Sequence, residues 1–174
     1  MCVVGKDNCI YFLGGHLSLT GYILNDADRY DLNTNTWDKI APLQRPRDEA
    51  FGAAVCDKVF IGGGGGTWDH ITSQTCEVYI ETTNEWHFIA SMTVSRLILN
   101  PTCANATCSD DKLYVIRKDK YIECFDPERN VWKHVTRLCD GFYYSRFIIC
   151  CSLRVFKGCK LSLQSRTFAG RQVP

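Results

Sequence analysis

The sequence predicts an all-β protein built from repeated, four-stranded antiparallel units. Three segments of the 174-residue chain end alike, with an aromatic residue seven positions before a tryptophan, and these tryptophans lie 49 and 46 residues apart. Short β-branched and aromatic runs alternate with turn residues throughout. No amphipathic helical stretch of useful length interrupts them.

The second unit shows the four strands most clearly. Residues 51–56 form a run of small residues, and residues 59–61 form a β-branched and aromatic run that stops at a glycine pair. After a loop, residues 75–80 alternate in character, and a polar turn at 81–85 leads into residues 86–89. Each run has the length and composition of a short strand.

The residues that recur between units have structural roles. An apolar strand ending in two glycines suits a crowded centre, where a side chain would collide and the chain must bend. The aromatic residue and the tryptophan are predicted to pair across neighbouring strands and to be buried. Asp-x-x-x-Asn between them favours a tight turn. The structural repeat residues are Gly14, Gly15, Tyr30, Trp37, Gly62, Gly63, Tyr79, Trp86, Phe125 and Trp132.

These motifs resemble the kelch repeat. The first two units carry the double glycine, a Tyr-centred segment with Asn two residues before Trp, and, in the first, a Pro-Arg pair ahead of the next strand. The resemblance covers about residues 1–136 and is strongest to the kelch domains of kelch-like (BTB-BACK-kelch) proteins, the substrate adaptors of cullin-RING ubiquitin ligases. It implies a β-propeller made of four-stranded antiparallel blades.

The resemblance divides the chain into blades. We assign blade 1 to residues 1–41, blade 2 to 48–91 and blade 3 to 98–136, where Arg117-Lys118-Asp119 replaces the double glycine. Residues 137–174 form a partial fourth blade and a divergent tail with seven basic residues against one acid. Propellers close with about four to eight blades. The chain is therefore a fragment or variant form, or the missing blades are supplied elsewhere.

Charge and hydropathy exclude two classes of partner. With 20 basic and 19 acidic residues the net charge is +1, which provides no field for binding nucleic acid. No apolar run approaches the roughly 18 residues of a membrane span, and the first residues lack a signal-peptide layout. We expect a cytoplasmic protein, with the nucleus as the alternative, and no contact with membranes.

Metal, cofactor and catalytic sites are not expected. The eleven cysteines include no Cys-x-x-Cys, and the four histidines lie at no metal-binding spacing, so reduced, mostly buried thiols are predicted. The glycine run 62–66 ends in Thr67-Trp68 without a helix, which favours a loop over a phosphate site. We expect no enzyme and no cofactor; a propeller enzyme is the less favoured alternative.

Partner recognition is predicted on loops at one face of the propeller. The linkers 42–48 and 91–97 should share this face with the loops 16–24 and 64–72, and loops on a rigid scaffold commonly carry recognition. Arginine and large aromatic residues dominate interface energetics. The candidate partner-binding residues are Arg45, Arg47, Arg96, Tyr22, Trp68 and His70. For Arg47 and Arg96 the resemblance also offers a structural role at a blade junction.

The resemblance implies a non-enzymatic module that binds a protein substrate or peptide motif for ubiquitination. A cullin-RING ligase would be engaged through a segment absent from these residues. Since some kelch proteins bind actin, an actin-binding cytoskeletal module is the alternative.

Overall fold

The computed structural model describes residues 1–65, 74–93, 103–117 and 121–137. They form three four-stranded antiparallel sheets, each with its strands in chain order. Strands are the only regular elements of these ranges, so none of the residues in them forms a helix that could cross a membrane. The all-β, antiparallel prediction is confirmed.

Each sheet is one repeat unit of four strands. Unit 1 contains β1 (Cys2–Lys6), β2 (Cys9–His16), β3 (Ile23–Asp31) and β4 (Thr36–Lys39). Unit 2 contains β5 (Phe51–Val55), β6 (Lys58–Gly62), β7 (Cys76–Ile80) and β8 (Glu85–Ile89). Unit 3 contains β9 (Cys103–Ser109), β10 (Lys112–Arg117), β11 (Tyr121–Asp126) and β12 (Val131–Arg137). Residues 138–174, nearly all of the assigned partial blade and tail, lie outside the described ranges.

The predicted turn and aromatic pair recur in all three units. In unit 1, Asp31 Oδ1 accepts hydrogen bonds from the backbone N–H groups of Asn33 and Thr34 at 2.8 and 3.2 Å. The turn places Tyr30 opposite Trp37 in the ladder, with ring centroids 5.0 Å apart. The equivalent pairs, Tyr79 with Trp86 and Phe125 with Trp132, have centroids 5.0 and 5.1 Å apart. The cross-strand pairing is confirmed.

Glycine is required where β2 and β6 end. Gly14 has a φ of +60°, and a Cβ there would collide with the carbonyl oxygen of Arg47. A Cβ on Gly62 would meet Cys76 Sγ and the Phe51 ring, each at 2.5 Å. The crowding predicted at the double glycine is thus confirmed.

The hydrophobic core lies between the units. One cluster joins unit 1, through residues such as Tyr11 and Leu13, to Val59, Ile61 and Trp86 of unit 2. A second cluster joins the opposite face of unit 2 to unit 3. The first strands of neighbouring units are also in contact, β1 with β5 and β5 with β9. Each sheet therefore completes the core of its neighbour.

The three repeat tryptophans differ in burial. Trp86 is 2% exposed and Trp132 is also buried, whereas Trp37 is 62% exposed. The first two pack against the unit that precedes them, and within the described ranges no unit precedes the first. The prediction that Trp37 is buried is wrong, because its burial depends on a neighbouring sheet and not on its own.

Candidate interaction face and unit junctions

The β2–β3 loop and the linker between units 1 and 2 meet at one edge of the sheets. Gly15 N–H donates to the Arg47 carbonyl at 2.7 Å, and Arg47 N–H donates to the Leu24 carbonyl at 3.0 Å. Asp48 and Gly65 exchange two backbone hydrogen bonds, at 3.0 and 2.8 Å. These contacts define the loop face, formed by residues 15–24, 42–50 and 63–65. The structure therefore brings together loops predicted to share a face.

The Asp48 carboxylate holds the β2–β3 loop against the linker through charged contacts. Its carboxylate lies 2.8 Å from His16 Nδ1 and 3.1 Å from the Met1 amine. Burial alone would raise the pKa of Asp48, but the hydrogen bonds from the amine and from His16 outweigh burial and lower this pKa below its ordinary 3.8. The carboxylate is therefore charged at neutral pH, when it can hold both partners.

The β2–β3 loop is ordered and presents apolar side chains to solvent. Leu17 N–H donates to the Tyr22 carbonyl at 2.9 Å, and Gly21 N–H donates to the Leu17 carbonyl at 2.8 Å. Leu19 is 100% exposed and Tyr22 is 67% exposed. A partner-binding role for Tyr22 stays a prediction.

Arg45 lies at the border of the loop face. It is half-buried, with its guanidinium carbon 5.9 Å from the ring centroid of Phe88 on β8. This cation–π contact leaves part of the side chain accessible. A partner-binding role for Arg45 stays a prediction.

Arg47, in contrast, has a structural role at the junction between units 1 and 2. Its side chain is fully buried beside the fully buried Glu77, whose Oε1 accepts from Arg47 Nε and Nη2 at 3.0 and 2.8 Å. Arg47 Nη1 also donates to the carbonyls of Gly63 and Thr75, both at 2.9 Å. A buried carboxylate needs such a partner. The prediction that Arg47 contacts a binding partner is wrong, and its alternative role at the junction is observed.

Unit 3 contains a similar buried Arg–Glu pair, but its arginine lies at the end of β10 and not in a linker. Arg117 Nη1 donates to Glu123 Oε1 at 3.0 Å and to the Thr93 carbonyl at 2.7 Å, and Thr93 Oγ1 donates to the same Glu123 oxygen at 2.8 Å. Arg117 stands where the earlier units have their glycine pair. Sequence reasoning missed this role, since the only signal was the missing double glycine.

A second junction feature, which we call the Asn–Trp bracket, was also missed. Ala41 N–H donates to Asn84 Oδ1 at 2.9 Å, and Trp86 Nε1 donates to the carbonyl of the same Ala41 at 2.9 Å. The next junction repeats it: Ala90 N–H donates to Asn130 Oδ1 at 2.9 Å, and Trp132 Nε1 donates to the Ala90 carbonyl at 2.8 Å. The Asn-x-Trp spacing was visible in the sequence, but its asparagine was assigned to the turn alone.

The other three candidate partner residues, Arg96, Trp68 and His70, lie outside the described residues.

In the ranges that are described, no three His, Cys, Asp or Glu side chains gather as a metal site. Cys76 behaves as a small hydrophobic residue: burial raises the pKa of its thiol to about 12 and keeps it protonated.

Comparison with known proteins identifies the repeat. A family model described as the Kelch motif matches residues 1–44. The chain is 28% identical to human Kelch-like protein 23 over 144 residues, which cover 80% of this chain and 24% of that protein. It is 26% identical to human Kelch-like protein 25 over an alignment of 192 positions, which covers 75% of this chain and 31% of that protein.

A plant protein shares a shorter segment. The chain is 35% identical over 78 residues to an F-box/kelch-repeat protein of Arabidopsis thaliana, covering 45% of this chain and 20% of that protein. The chain thus spans less than a third of the length of these relatives. The motif match and the three sheets with one repeated aromatic pair agree. The chain contains a partial kelch-repeat domain, made of four-stranded antiparallel propeller blades.

Proposed function

We propose that the chain is a non-enzymatic protein-interaction module that recruits a protein substrate to a cullin-RING ubiquitin ligase. The observation that supports recruitment is the loop face, where an ordered loop exposes Leu19 and Tyr22. Recognition residues are commonly found on loops held by a rigid scaffold.

The loop face is prepared for binding because its backbone is already fixed. Hydrogen bonds close the 17–22 loop on itself, and contacts of Gly15 and His16 tie its start to the linker. Binding therefore costs less conformational entropy than it would for an unstructured loop. Exposed tyrosine beside aliphatic groups favours a partner segment with an apolar side chain, and Arg45 favours a carboxylate nearby.

The ligase half of the proposal is supported by the resemblance to kelch-like proteins alone. Cullin attachment would use a segment that these 174 residues do not contain. The two halves are therefore separable, and the experiment must test them separately.

The recruitment half can be tested by proximity labelling in cells. The full chain is compared with a Leu19→Ser/Tyr22→Ala variant and with Leu32→Ser, a control at an exposed leucine in the β3–β4 turn, away from the loop face. We expect a set of labelled proteins to disappear with the double variant and to persist with the control. An unchanged set of labelled proteins would contradict a binding role for the loop face.

The ligase half is tested on the proteins lost with the double variant. Their ubiquitination should fall when the chain is depleted, and the wild-type chain but not the double variant should restore it. Loop-dependent binding without any change in ubiquitination would leave recruitment standing and refute the ligase role. Co-sedimentation with filamentous actin that depends on Leu19 and Tyr22 would instead favour the cytoskeletal alternative.

A further inference from the structure

Unit 1 carries the same bracket residues as units 2 and 3. Asn35 has a φ of 56°, close to the 53° of Asn84, and its Oδ1 accepts from Tyr30 Oη at 3.2 Å, as Asn84 Oδ1 accepts from Tyr79 Oη. Across the described ranges, however, no backbone N–H donates to Asn35 Oδ1 and no carbonyl accepts from Trp37 Nε1. The bracket of unit 1 is therefore open.

The open bracket is preformed. The Trp37 ring lies 5.0 Å, centroid to centroid, from both Phe12 and Tyr30, which hold it in place although most of its surface is exposed. Little ordering is needed before it can bind a peptide group, so the entropic cost of occupation is low.

The sheet around the bracket forms an open apolar face. Ile10, Phe12 and Tyr30 occupy the positions that Val59, Ile61 and Tyr79 occupy in unit 2. The unit 2 residues are buried against unit 1, whereas the unit 1 residues are only half-buried. We define the open face by its five residues: Val3, Ile10, Phe12, Tyr30 and Trp37. The equivalent face of unit 2 packs on unit 1, and that of unit 3 packs on unit 2.

The complementary surface lies at the other end of the same chain. In unit 2, the side that packs on unit 3 is formed largely by Phe60, Cys76 and Val78. In unit 3 these positions hold Tyr114, Ile122 and Cys124, which are half-buried within the part of the chain that the structure describes. Together with Ile116 these residues form the far face of unit 3.

A residue that could fill the open bracket is also present near the end of β12. Ala41 and Ala90, which the occupied brackets hold, each stand four residues after a repeat tryptophan. Thr136 stands four residues after Trp132 and is exposed, and it lies within β12, opposite Ile122 beside a bulge. The chain therefore contains both halves of a third junction.

We propose that a second copy of this chain docks the far face of its unit 3 on the open face, so that Asn35 and Trp37 bracket its Thr136. The contact repeats the two junctions inside the chain and needs no other kind of partner. Two copies supply six of the units that the structure describes, a number within the range of about four to eight at which propellers close. Around a twofold axis the contact forms twice and covers both the open face and the far face of each copy.

The mass of the full chain in solution is the first test. Light scattering at tens of micromolar should give about twice the 19.8 kDa of one chain. Trp37→Ser should halve this mass while circular dichroism stays that of a folded β protein, because Trp37 is exposed within one copy. The control Leu32→Ser should keep the double mass, and so should Leu19→Ser/Tyr22→Ala, which separates this test from that of the loop face.

A cross-link tests the direction of docking. A photoreactive benzoylphenylalanine in place of Thr136 should join isotopically light chains to heavy chains within residues 28–39, and Trp37→Ser in the heavy chain should abolish this product. A single-chain mass for the wild type overturns the proposal, whether the open face stays bare or residues 138–174 cover it. Open-ended oligomers, a dimeric Trp37→Ser variant or cross-links only within one copy overturn it equally.

Discussion

Two arginines in one linker have opposite environments. Arg45 rests on the exposed Phe88 ring, while Arg47, two residues later, is fully buried against Glu77. An extended chain would place Arg45 and Arg47 on one side, but the linker bends at Gln44 and Arg45, and the two side chains have different surroundings. An arginine in such a linker is therefore a candidate for recognition only if no buried carboxylate lies within reach.

Replacing Arg47 should be much more costly than replacing Arg45. Arg47→Met leaves the Glu77 carboxylate buried without its cationic partner, with only the Gln44 N–H, among the described residues, still donating to it, which lowers the free energy of unfolding by about 3–5 kcal/mol. Arg45→Met removes one partly exposed cation–π contact, for a loss of about 0.5–1 kcal/mol. Urea unfolding of both variants measures the difference. Similar losses would mean that Glu77 is satisfied without Arg47, and partial recovery in Arg47→Met/Glu77→Gln would support the pair.

At the scale of single strands, a glycine near the end of β2 is required, whereas a glycine in the neighbouring β1 is not. Gly14 combines a positive φ with an approach to the Arg47 carbonyl that leaves no room for a Cβ. Gly5, in the neighbouring β1, has no atom within 4 Å of a Cβ built on it. The two positions form a matched pair within one sheet.

Gly14→Ala should destabilise the chain by more than about 1 kcal/mol, because it combines backbone strain with a collision. Gly5→Ala should leave the free energy of unfolding unchanged or raise it by up to about 1 kcal/mol, since only the unfolded chain loses freedom. Thermal and urea unfolding of both variants provide the comparison. A Gly14→Ala variant as stable as Gly5→Ala would show that the linker can move away from β2.

Local patterns made the strands, the turns and the Tyr–Trp pairs predictable from the sequence. These features depend on residues a few positions apart, so alternation and turn chemistry suffice. The exposure of Trp37 and the burial of Arg47 were mispredicted because neither depends on nearby residues: Arg47 is buried by Glu77, thirty positions away, and no neighbouring sheet in the described ranges covers Trp37. Arg117 was missed for a different reason: it replaces the glycine pair of the earlier units, so its pairing with Glu123, six positions away, follows no repeated residue type.

At the scale of the whole molecule, stability is concentrated at the junctions. Trp86 fills the core between units 1 and 2 and also closes the bracket on Ala41. Trp37 pairs with Tyr30 in its own sheet, as Trp86 pairs with Tyr79. In the described part of the chain, however, no other unit packs against Trp37. The two residues therefore separate the contribution of a sheet from that of a junction.

Trp86→Ala should lower the free energy of unfolding by about 3–5 kcal/mol, the usual cost of truncating a buried aromatic residue. Trp37→Ala should lose no more than about 1.5 kcal/mol, from its ring contacts alone. Both are measured by chemical denaturation at a concentration low enough to keep chains apart. Equal losses would contradict the assignment of the core to the junctions.

Because the core lies between units, unit 1 cannot bury its apolar face during synthesis until unit 2 has been made. Unit 1 is complete when residue 39 emerges, but Tyr11 and Leu13 are covered only after Trp86, about 47 residues later. At roughly 5–20 residues per second, this interval lasts about 2–9 seconds. During those seconds unit 1 exposes the apolar face that unit 2 later covers, so we expect chaperones to bind the nascent chain at the exit tunnel.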